Sequence, residues 1–388
     1  MAGMLHGFTV GITADRRWDE QAALFERRGA AVVHGPSIRT LPLGSDAALR
    51  AVTEALVDHP PRAFVANTGL GVRSWFGAAD SWGLGAELHH ALAGARIYAR
   101  GPKASGAVHA AGLEVTARAP TERLGEAVEL VLRDLVPGDR VAVQVDGSGG
   151  SPELARLRAA GAEVVEIPVY EWKLPEDRRP AVRLVKGLAE GRIHAVTFTT
   201  GPAVRNLLAI AAEHDLEEAL RAALADGRVV VGCVGPVCAE AAVASGLDPA
   251  GLVVPTAWRL GPLVRAVAGR LAERTVRVRL EGTEAVLAGT VATVGGEPVE
   301  LSETEARLFA TLAERPNAVF TKTHLLRSVW GDDRADPHLV EVAVARLRRR
   351  LGVHGRAVAS VHRRGYTLRC RPAPGDPGPA AGTAESEG

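Results

Sequence analysis

The sequence contains few of the residues that characterise disulfide-rich, metal-binding or membrane proteins. Only 3 of its 388 residues are cysteine and 4% are aromatic. No apolar run approaches the ~18 residues that suggest a membrane span, and the N-terminus lacks a basic segment followed by a long apolar stretch. We therefore expect neither a membrane span nor a signal peptide, and a cytoplasmic location. The hydrophobic fraction of 47% is enough for several compact units.

The cysteines and a histidine pair give little support for a metal or redox site. Cys233, Cys238 and Cys370 are odd in number and lack metal-ligand spacing, which favours reduced thiols. A redox role for Cys233 and Cys238 is the alternative. His89 and His90 have no carboxylate or thiol at ligand spacing, so a packed or surface pair is favoured over a metal site.

Residues 338–351 combine an apolar stripe with a cluster of arginines. The stripe recurs at the spacing of one helix face and must pack against a core; it consists of Val340, Val344, Leu347 and Leu351. The cations crowd the remaining surface near the C-terminal end of this helix; they are Arg346, Arg348, Arg349 and Arg350. Such a run is either a solvated face or a surface that meets a polyanion, of which duplex DNA is the obvious example.

The segments on either side favour the DNA interpretation. Ser302 and Glu305 have the spacing of a capping box, which begins a first helix. Thr321 can cap a second helix after a short extended piece, and Pro337 begins the arginine helix. Two short alternating segments then surround His362-Arg363-Arg364-Gly365, which predicts a hairpin with a basic tip.

Residues 300–370 resemble the winged-helix effector domain of OmpR/PhoB-type response regulators. Four motifs lie in register: L-S-E-T-E, L-L-R-S-V-W-G, R-L-R-R-R-L and R-G-Y-T-L. The resemblance implies an N-terminal antiparallel sheet from 275–299, a recognition helix at 338–351 in the major groove, and a wing that reaches the minor groove. The DNA-binding residues it implies are Thr321, Arg346, Arg348, Arg349, Arg350, Ser360, His362, Arg363 and Arg364.

This chain departs from the family at a few of these positions. Ser360 and His362 occupy positions where the wing commonly has Thr and Arg, so minor-groove contact passes to Arg363 or Arg364. Ala343 replaces the usual His early in the recognition helix, so the DNA code of another member cannot be copied.

Positive charge is concentrated in the part of the chain that resembles the winged-helix domain. Residues 302–370 carry 13 Lys and Arg against 7 Asp and Glu, whereas residues 1–301 carry 32 against 35. The near-neutral total therefore conceals a basic module attached to a mildly acidic body.

The body contains a diverged internal duplication, with no series of strand-end acidic residues, Asp and Lys of the kind a receiver domain carries. Three pairs of segments match at nearly one offset; they are 29–36 with 161–168, 64–73 with 196–205, and 101–113 with 235–247. The pattern of strands and helices predicts two α/β lobes, each a small parallel sheet wrapped by helices.

Ligands of such sheets bind at the carboxyl ends of the strands, where turns lead into helix N-termini with unpaired amides. Four turns of small residues fit this description, namely Thr68-Gly69, Gly101-Pro102, Thr200-Gly201 and Gly235-Pro236. Each alone is ordinary helix-entry chemistry. Together they predict an anion-binding site in a cleft that the lobes share.

Residues 7–273 resemble uroporphyrinogen-III synthase, which closes and isomerises the linear tetrapyrrole hydroxymethylbilane without a cofactor. The resemblance rests on G-A-E-V-V-E-I-P-V-Y at 161–170, A-V-T-F-T-T-G-P-A-V at 195–204 and G-P-V-C-A at 235–239. It implies a domain at 1–273 in which lobe A is formed by about 1–38 and 173–273, and lobe B by about 39–172. Strands at 37–41 and 169–174 would connect the lobes.

In that family a Tyr at the position of Tyr170 helps the hydroxyl leave by donating a proton, which a phenol can do at neutral pH. A Tyr packed in a connecting strand is the alternative. Cys238 replaces the usual hydroxyl residue, which removes one donor to substrate carboxylates. The ligand-binding residues that the resemblance and the turns imply are Thr13, Arg16, Thr68, Gly69, Gly101, Tyr170, Thr200, Gly201, Gly235 and Cys238.

The sequence thus predicts an α/β protein in which a two-lobed, parallel-sheet synthase-like domain precedes an α+β winged helix-turn-helix domain at 274–370. Residues 371–388, rich in Pro and Gly, are expected to form a disordered tail. The two-part layout resembles actinobacterial regulators of nitrate and nitrite assimilation.

Two functions follow from this layout. The first is a nucleoid-associated transcription regulator that binds repeated half-sites in double-stranded DNA, as a homodimer or with a partner regulator, while its body senses a tetrapyrrole or another anionic small molecule. The second is a bifunctional protein that also makes uroporphyrinogen III.

Overall fold

The computed structural model describes residues 3–42, 47–145, 151–225 and 227–372. The first part of the chain forms β1 (Thr9–Ile12), α1 (Trp18–Glu26), β2 (Ala31–His34), β3 (Arg39–Pro42), α2 (Ala47–Asp58), β4 (Ala63–Ala66), α3 (Gly69–Ser81), α4 (Gly85–Ala93), β5 (Arg96–Ala99), α5 (Pro102–Ala110), β6 (Ala117–Arg118) and α6 (Leu124–Leu132). The next part forms β7 (Arg140–Val145), α7 (Pro152–Ala159), β8 (Glu163–Pro168), β9 (Tyr170–Lys173), α8 (Arg179–Ala189), β10 (Ala195–Phe198), α9 (Gly201–Ala212), α10 (Glu217–Ala225), β11 (Val230–Cys233), α11 (Pro236–Ala244), β12 (Leu252–Val253) and α12 (Leu260–Ala272).

The last part of the chain forms β13 (Val276–Leu280), β14 (Thr283–Ala288), β15 (Val291–Val294), β16 (Glu297–Glu300), α13 (Glu303–Glu314), α14 (Lys322–Trp330), α15 (His338–Arg350), β17 (Val358–Val361), β18 (Gly365–Leu368) and β19 (Cys370–Pro372). Within the described ranges, no helix combines the length and apolarity needed to cross a bilayer.

The duplication seen in the sequence is also a duplication of structure. From β1 to α6 and again from β7 to α12, the order of strands and helices is the same. The two parallel five-stranded sheets have the orders β12-β11-β10-β1-β2 and β6-β5-β4-β7-β8. Each sheet therefore takes three strands from one repeat and two from the other, so neither repeat forms a sheet alone. We call the first sheet with its helices lobe A and the second lobe B.

Burial explains why these strands form parallel sheets. The internal strands β4, β10 and β11 are buried at every residue, as expected when helices cover both faces of a sheet. In lobe B, separate hydrophobic clusters lie under the two helical layers, one around Trp75 and Phe64 and the other around Val128 and Val143. In lobe A, Phe8 and Phe25 pack with α12 residues such as Val267.

The strands predicted to connect the lobes do pair. β3 and β9 form an antiparallel two-stranded sheet in which Pro42 lies opposite Tyr170. Because these strands occupy equivalent positions in the two repeats, their pairing joins one repeat to the other.

The C-terminal elements form a winged-helix domain with its own core. Ser302 and Glu305 make the capping box that the sequence predicts: Ser302 Oγ accepts from the Glu305 amide at 3.3 Å, and Glu305 Oε2 accepts from the Ser302 amide at 2.8 Å. Phe309 and Leu347 belong to a cluster shared by the sheet and all three helices of the domain.

The first sheet of the winged-helix domain gains its last strand from the C-terminal end of the described chain. β19 pairs antiparallel with β13, and Cys370 lies opposite Leu280. Of the predicted tail, Arg371 and Pro372 belong to this strand, and residues 373–388 lie outside the described residues.

The chain divides into two compact units, one formed by Met1–Ser37 with Glu176–Gly388 and the other by Ile38–Pro175. The first unit contains both lobe A and the winged-helix domain, which meet through glycines. A Cβ on Gly7 of lobe A would lie 2.2 Å from the Ala288 carbonyl oxygen, and a Cβ on Gly289 would lie 2.3 Å from the Gly7 carbonyl oxygen. Real Cβ atoms do not approach so closely, so only glycine fits on either side. Gly191 of lobe A also lies close to the winged-helix domain, since a Cβ there would be 2.9 Å from the end of the Glu303 side chain.

Candidate functional site

The recognition helix α15 is anchored by one face and presents the others to solvent. Its buried residues are Val340, Ala343, Val344 and Leu347, all within the core of the domain. Arg346, Arg349 and Arg350 are exposed. They line an open cavity of about 730 Å³ whose other walls include Glu300 and Glu305. No ion pair to these three arginines occurs within the described part of the chain, so their charges are available to a polyanion.

Arg348 behaves differently from its neighbours. Its Nε donates to the Val358 carbonyl at 2.7 Å, and its Nη2 donates to Ser360 Oγ at 2.9 Å. The side chain thus joins the recognition helix to the first strand of the hairpin. The hydroxyl of Ser360, another predicted DNA-binding residue, is engaged in the same contact.

The wing is held beside the start of α14 by a backbone contact. Phe320 and Tyr366 exchange two hydrogen bonds, at 2.8 and 3.0 Å. Gly365 has φ +132°, and a Cβ there would lie 1.9 Å from the Phe320 carbonyl oxygen, so this motif position requires glycine. Thr321, next in sequence, is exposed and caps α14 by accepting from the His324 amide at 3.2 Å.

The tip of the wing is basic and exposed. His362, Arg363 and Arg364 all face solvent, and Arg363 adopts a left-handed conformation with φ 55°. No ion pair to either arginine is found among the residues that the structure describes. The structure therefore brings the predicted DNA-binding residues to one domain, on α14, α15 and the wing.

Glu341, near the start of α15, is contacted by side chains from two helices. Lys322 forms an ion pair with Glu341, and His338 Nδ1 lies 3.2 Å from the second carboxylate oxygen of Glu341. The hydrogen bond from Lys322 lowers the pKa of the Glu341 carboxyl, and His338 adds to the effect. Sequence reasoning missed this cluster, whose members lie on two different helices.

The predicted ligand-binding residues of lobe A lie at the carboxyl edge of its sheet, as parallel strands require. Thr13 follows β1, Thr200 and Gly201 follow β10, and Gly235 follows β11. The α9 and α11 helices begin there without a side-chain cap, and Thr200 Oγ1 is buried with no hydrogen-bond partner among the described residues. Several amides at this edge are consequently available to a ligand.

Two predicted residues of lobe A are occupied internally instead. The Thr13 hydroxyl is fully buried and donates to the Thr197 carbonyl at 2.8 Å. The Cys238 thiol is buried and donates to the Phe198 carbonyl at 3.6 Å. Its hydrogen bond with Cys233, together with burial, raises the pKa of the Cys238 thiol. Arg16, by contrast, is exposed.

Lobe B has an equivalent edge. Thr68 and Gly69 follow β4, and Gly101 follows β5 and begins α5 without a side-chain cap. Thr68 itself caps α3 by accepting from the Gly71 amide at 3.0 Å. Tyr170, which follows β8, is only 4% exposed, and its ring lies 5.5 Å from that of Trp172.

Sequence reasoning also missed several side chains at these edges. In lobe B, Arg100 donates to Asn67 Oδ1 at 3.1 Å. The side-chain amide of Gln144 is fully buried and has no hydrogen-bond partner among the described residues. In lobe A, Trp18 stacks on His34 with ring centroids 4.1 Å apart. The signal was present for Arg100, an arginine directly after a buried strand. No three His, Cys, Asp or Glu side chains cluster as metal ligands in the described ranges.

Comparisons with known proteins agree with this division of the chain. The family model of uroporphyrinogen-III synthase HemD matches residues 19–264. The model of the C-terminal domain of transcriptional regulatory proteins matches residues 296–368.

Individual relatives match one part of the chain or the other. A crystallised mutant uroporphyrinogen III synthase from Thermus thermophilus has 29% sequence identity and a TM-score of 0.56, and the match covers 69% of this chain and 99% of that chain. The uncharacterized protein YjjA of Bacillus subtilis is 27% identical over 67% of this chain and 94% of its own length. The transcriptional regulatory protein PrrA of Mycobacterium bovis is 39% identical over 22% of this chain, which spans only 38% of the PrrA length.

The match to the synthase family model covers well over half of the sequence. The match to the regulatory-protein model covers the domain that contains the recognition helix and the wing. The chain belongs to the uroporphyrinogen-III synthase HemD family and carries in addition a winged-helix DNA-binding domain of the type found in response regulators.

Proposed function

We propose that this protein is a transcription regulator that binds double-stranded DNA through α15 and the wing, and whose synthase-like lobes bind an anionic ligand. The DNA-binding part of this proposal rests on one observation: α15 exposes several arginines, and the wing exposes Arg363 and Arg364. Several like charges on adjacent helical turns repel one another, and a phosphate backbone would neutralise them.

The ligand-binding half rests on the two carboxyl edges. Uncapped helix N-termini at α5, α9 and α11 present backbone amides, which suit carboxylates. Arg16 adds an exposed cation beside β1. A tetrapyrrole bearing several carboxylates fits this chemistry, and the likeness to uroporphyrinogen-III synthases supports that choice. Nitrate and nitrite assimilation genes are the proposed targets, since nitrite reductase requires sirohaem, which is made from uroporphyrinogen III.

The second candidate is a bifunctional protein that also forms uroporphyrinogen III from hydroxymethylbilane. It is favoured by one observation: Tyr170 lies on the connector strand β9, at the position where the family has its proton donor. Two observations argue against this activity. The Thr13 hydroxyl and the Cys238 thiol both donate to carbonyls of the protein, so neither is available to donate to a substrate.

Two measurements test these proposals. Affinity for DNA from the promoters of neighbouring genes is measured with and without uroporphyrinogen III, and a change in affinity supports the sensor. No binding to any duplex would contradict the regulator. Type III isomer formation from hydroxymethylbilane is then assayed for the wild type and Tyr170→Phe. Robust turnover that depends on Tyr170 would contradict a body that only senses.

A further inference from the structure

The outward face of α15 changes character along its length. At 100° per residue, the helix turns Leu339, Val342 and Ala345 away from the buried stripe in its first two turns. Leu339 is 41% exposed, Ala345 is exposed, and Val342 between them is half-buried. Arg346 and Arg349 occupy the same outward face in the last turns. An apolar half thus precedes a cationic half on the surface that faces solvent.

The polar side chains of the first half do not offset this apolar character. Between His338 and Ala345 the only residues with polar side chains are His338 and Glu341, and both belong to the cluster with Lys322. The carboxylate of Glu341 accepts from the other two. The outward positions of the first two turns therefore present methyl groups beside this exposed cluster, and the arginines of the helix begin at Arg346.

Base pairs differ in what they offer to such a surface. Only thymine carries a methyl group in the major groove, whereas guanine offers two acceptors that suit arginine. In helix-turn-helix proteins the N-terminal residues of the recognition helix contact the base edges. An apolar half at this end is therefore suited to thymine methyls and poorly suited to guanine or adenine acceptors.

We infer that Leu339 and Val342 are specificity-determining residues that read thymine methyl groups in the major groove, while Arg346 and Arg349 supply the polar contacts farther along the helix. The inference rests on the proposed DNA-binding function and adds to it the chemistry of base recognition. We expect each half-site to have thymines at the base pairs that the first two turns of α15 contact.

The experiment removes the methyl group without changing base pairing. A duplex is first selected from a random library with the full-length protein, and each thymine is then replaced singly by deoxyuridine. One or two replacements should weaken binding about fourfold each, the factor that corresponds to one buried methyl group. Replacements elsewhere in the site should have no effect.

Variants then assign the methyl groups to side chains. In Leu339→Ala and Val342→Ala, the penalty for deoxyuridine should disappear at the thymine that each residue contacts and persist at the other. Val353→Ala is the matched control, because Val353 is 77% exposed and lies beyond the C-terminal end of α15. It should leave every penalty unchanged.

The outcomes separate this inference from the function beneath it. Failure to select any duplex overturns the DNA-binding proposal and this inference with it. Selection of a duplex whose affinity is indifferent to deoxyuridine at every thymine overturns the inference alone. Because the deoxyuridine series uses the wild-type protein, the result does not depend on whether a variant folds.

Discussion

The guanidinium of Arg348 donates to the hydroxyl of Ser360 at 2.9 Å and so fixes the recognition helix to the wing. The second hydrogen bond, from Nε to the Val358 carbonyl, uses the neighbouring N–H on the same edge of this planar group. A lysine could preserve the charge at this position but could not make both bonds. The contact sets the distance between the two DNA-binding elements before DNA arrives.

We predict that Arg348→Lys weakens DNA binding nearly as much as Arg348→Ala, because the fork geometry and not the charge positions the wing. In a double-mutant cycle, Arg348→Ala and Ser360→Ala should couple by roughly 0.5–1 kcal/mol, since each change removes the same bond. Binding is measured by titration of labelled duplex at fixed salt. Full activity of Arg348→Lys would instead indicate a phosphate contact.

Arg349 is exposed on α15 and has no ion-pair partner among the described residues. If it contacts phosphate, Arg349→Ala should lower the slope of log K against log salt by about one. If it contacts a base, the cost should be about 1–3 kcal/mol at the cognate site. Arg270→Ala is the control, because Arg270 is exposed on lobe A and paired with Glu273. An unchanged slope together with unchanged affinity would remove Arg349 from the interface.

The capping box gives a prediction about stability. Ser302→Ala should lower the stability of α13 by about 1 kcal/mol, since the Glu305 amide loses its acceptor. Ser302→Thr keeps the hydroxyl and should lose much less. Hydrogen exchange of residues 303–314 measures the difference. Equal protection in the two variants would show that the cap is not what stabilises this helix.

His194 gives a prediction about pH. Burial lowers the pKa of His194 to about 4, and the nearby Arg274 adds to the shift. Its Nδ1 accepts from the Thr9 amide at 2.9 Å, which requires an unprotonated nitrogen. Because the unfolded imidazole titrates near 6.5, the unfolded state binds more protons between pH 6.5 and 4.

The free energy of unfolding should therefore be unaffected by His194 above about pH 6.5 and fall as the pH drops toward 4, by ~3 kcal/mol at most. His194→Asn can still accept from Thr9 and cannot titrate, so it should reduce this loss. Urea unfolding at pH 7 and pH 4.5 compares the two proteins. The same loss in both would assign the acid sensitivity to other groups.

The glycine joint between lobe A and the winged-helix domain can be tested with a matched pair. Gly289 and Gly352 both have φ 57°, but a Cβ on Gly352 would meet nothing within 4 Å. Gly289→Ala should therefore destabilise the chain more than Gly352→Ala, and the difference reports the contact with Gly7. Limited proteolysis should release the winged-helix domain from Gly289→Ala more readily. Equal behaviour would mean that the joint contributes little.

Much of this structure was predictable because its signals are local. The Ser302–Glu305 capping box and the Thr321 cap of α14 depend on residues only a few positions apart, and both were predicted correctly. The duplication predicted two parallel sheets. The duplication by itself did not predict that β1 would pair with β10 and β4 with β7, because the exchange of strands between repeats depends on long-range pairing. Only the resemblance to the synthase family implied a lobe A that is discontinuous in sequence.

The candidate sites were predictable to a lesser degree. Residue types placed Arg346, Arg348 and Arg349 on one helix. Only tertiary contacts distinguish Arg348, which is bonded to the wing, from the other two, which have no ion pair within the described residues. Thr13 has the residue type of a hydrogen-bond donor to a ligand. Its hydroxyl instead donates to the Thr197 carbonyl, a partner 184 positions away that the local sequence does not indicate. Strand β19 was missed for the same reason, since its three residues gain a partner only in the folded sheet.

The connection between α12 and β13 is very short, since α12 ends at Ala272 and β13 begins at Val276. Arg274 in this connection donates to the carbonyls of Gly227 and Arg228, at 2.8 and 2.6 Å. Because this connection is short and held by hydrogen bonds, the orientation of the recognition helix is fixed relative to α12, the last helix of lobe A. We expect a longer connection to let the winged-helix domain reorient independently of lobe A, so that the proposed effect of ligand on DNA affinity would be lost.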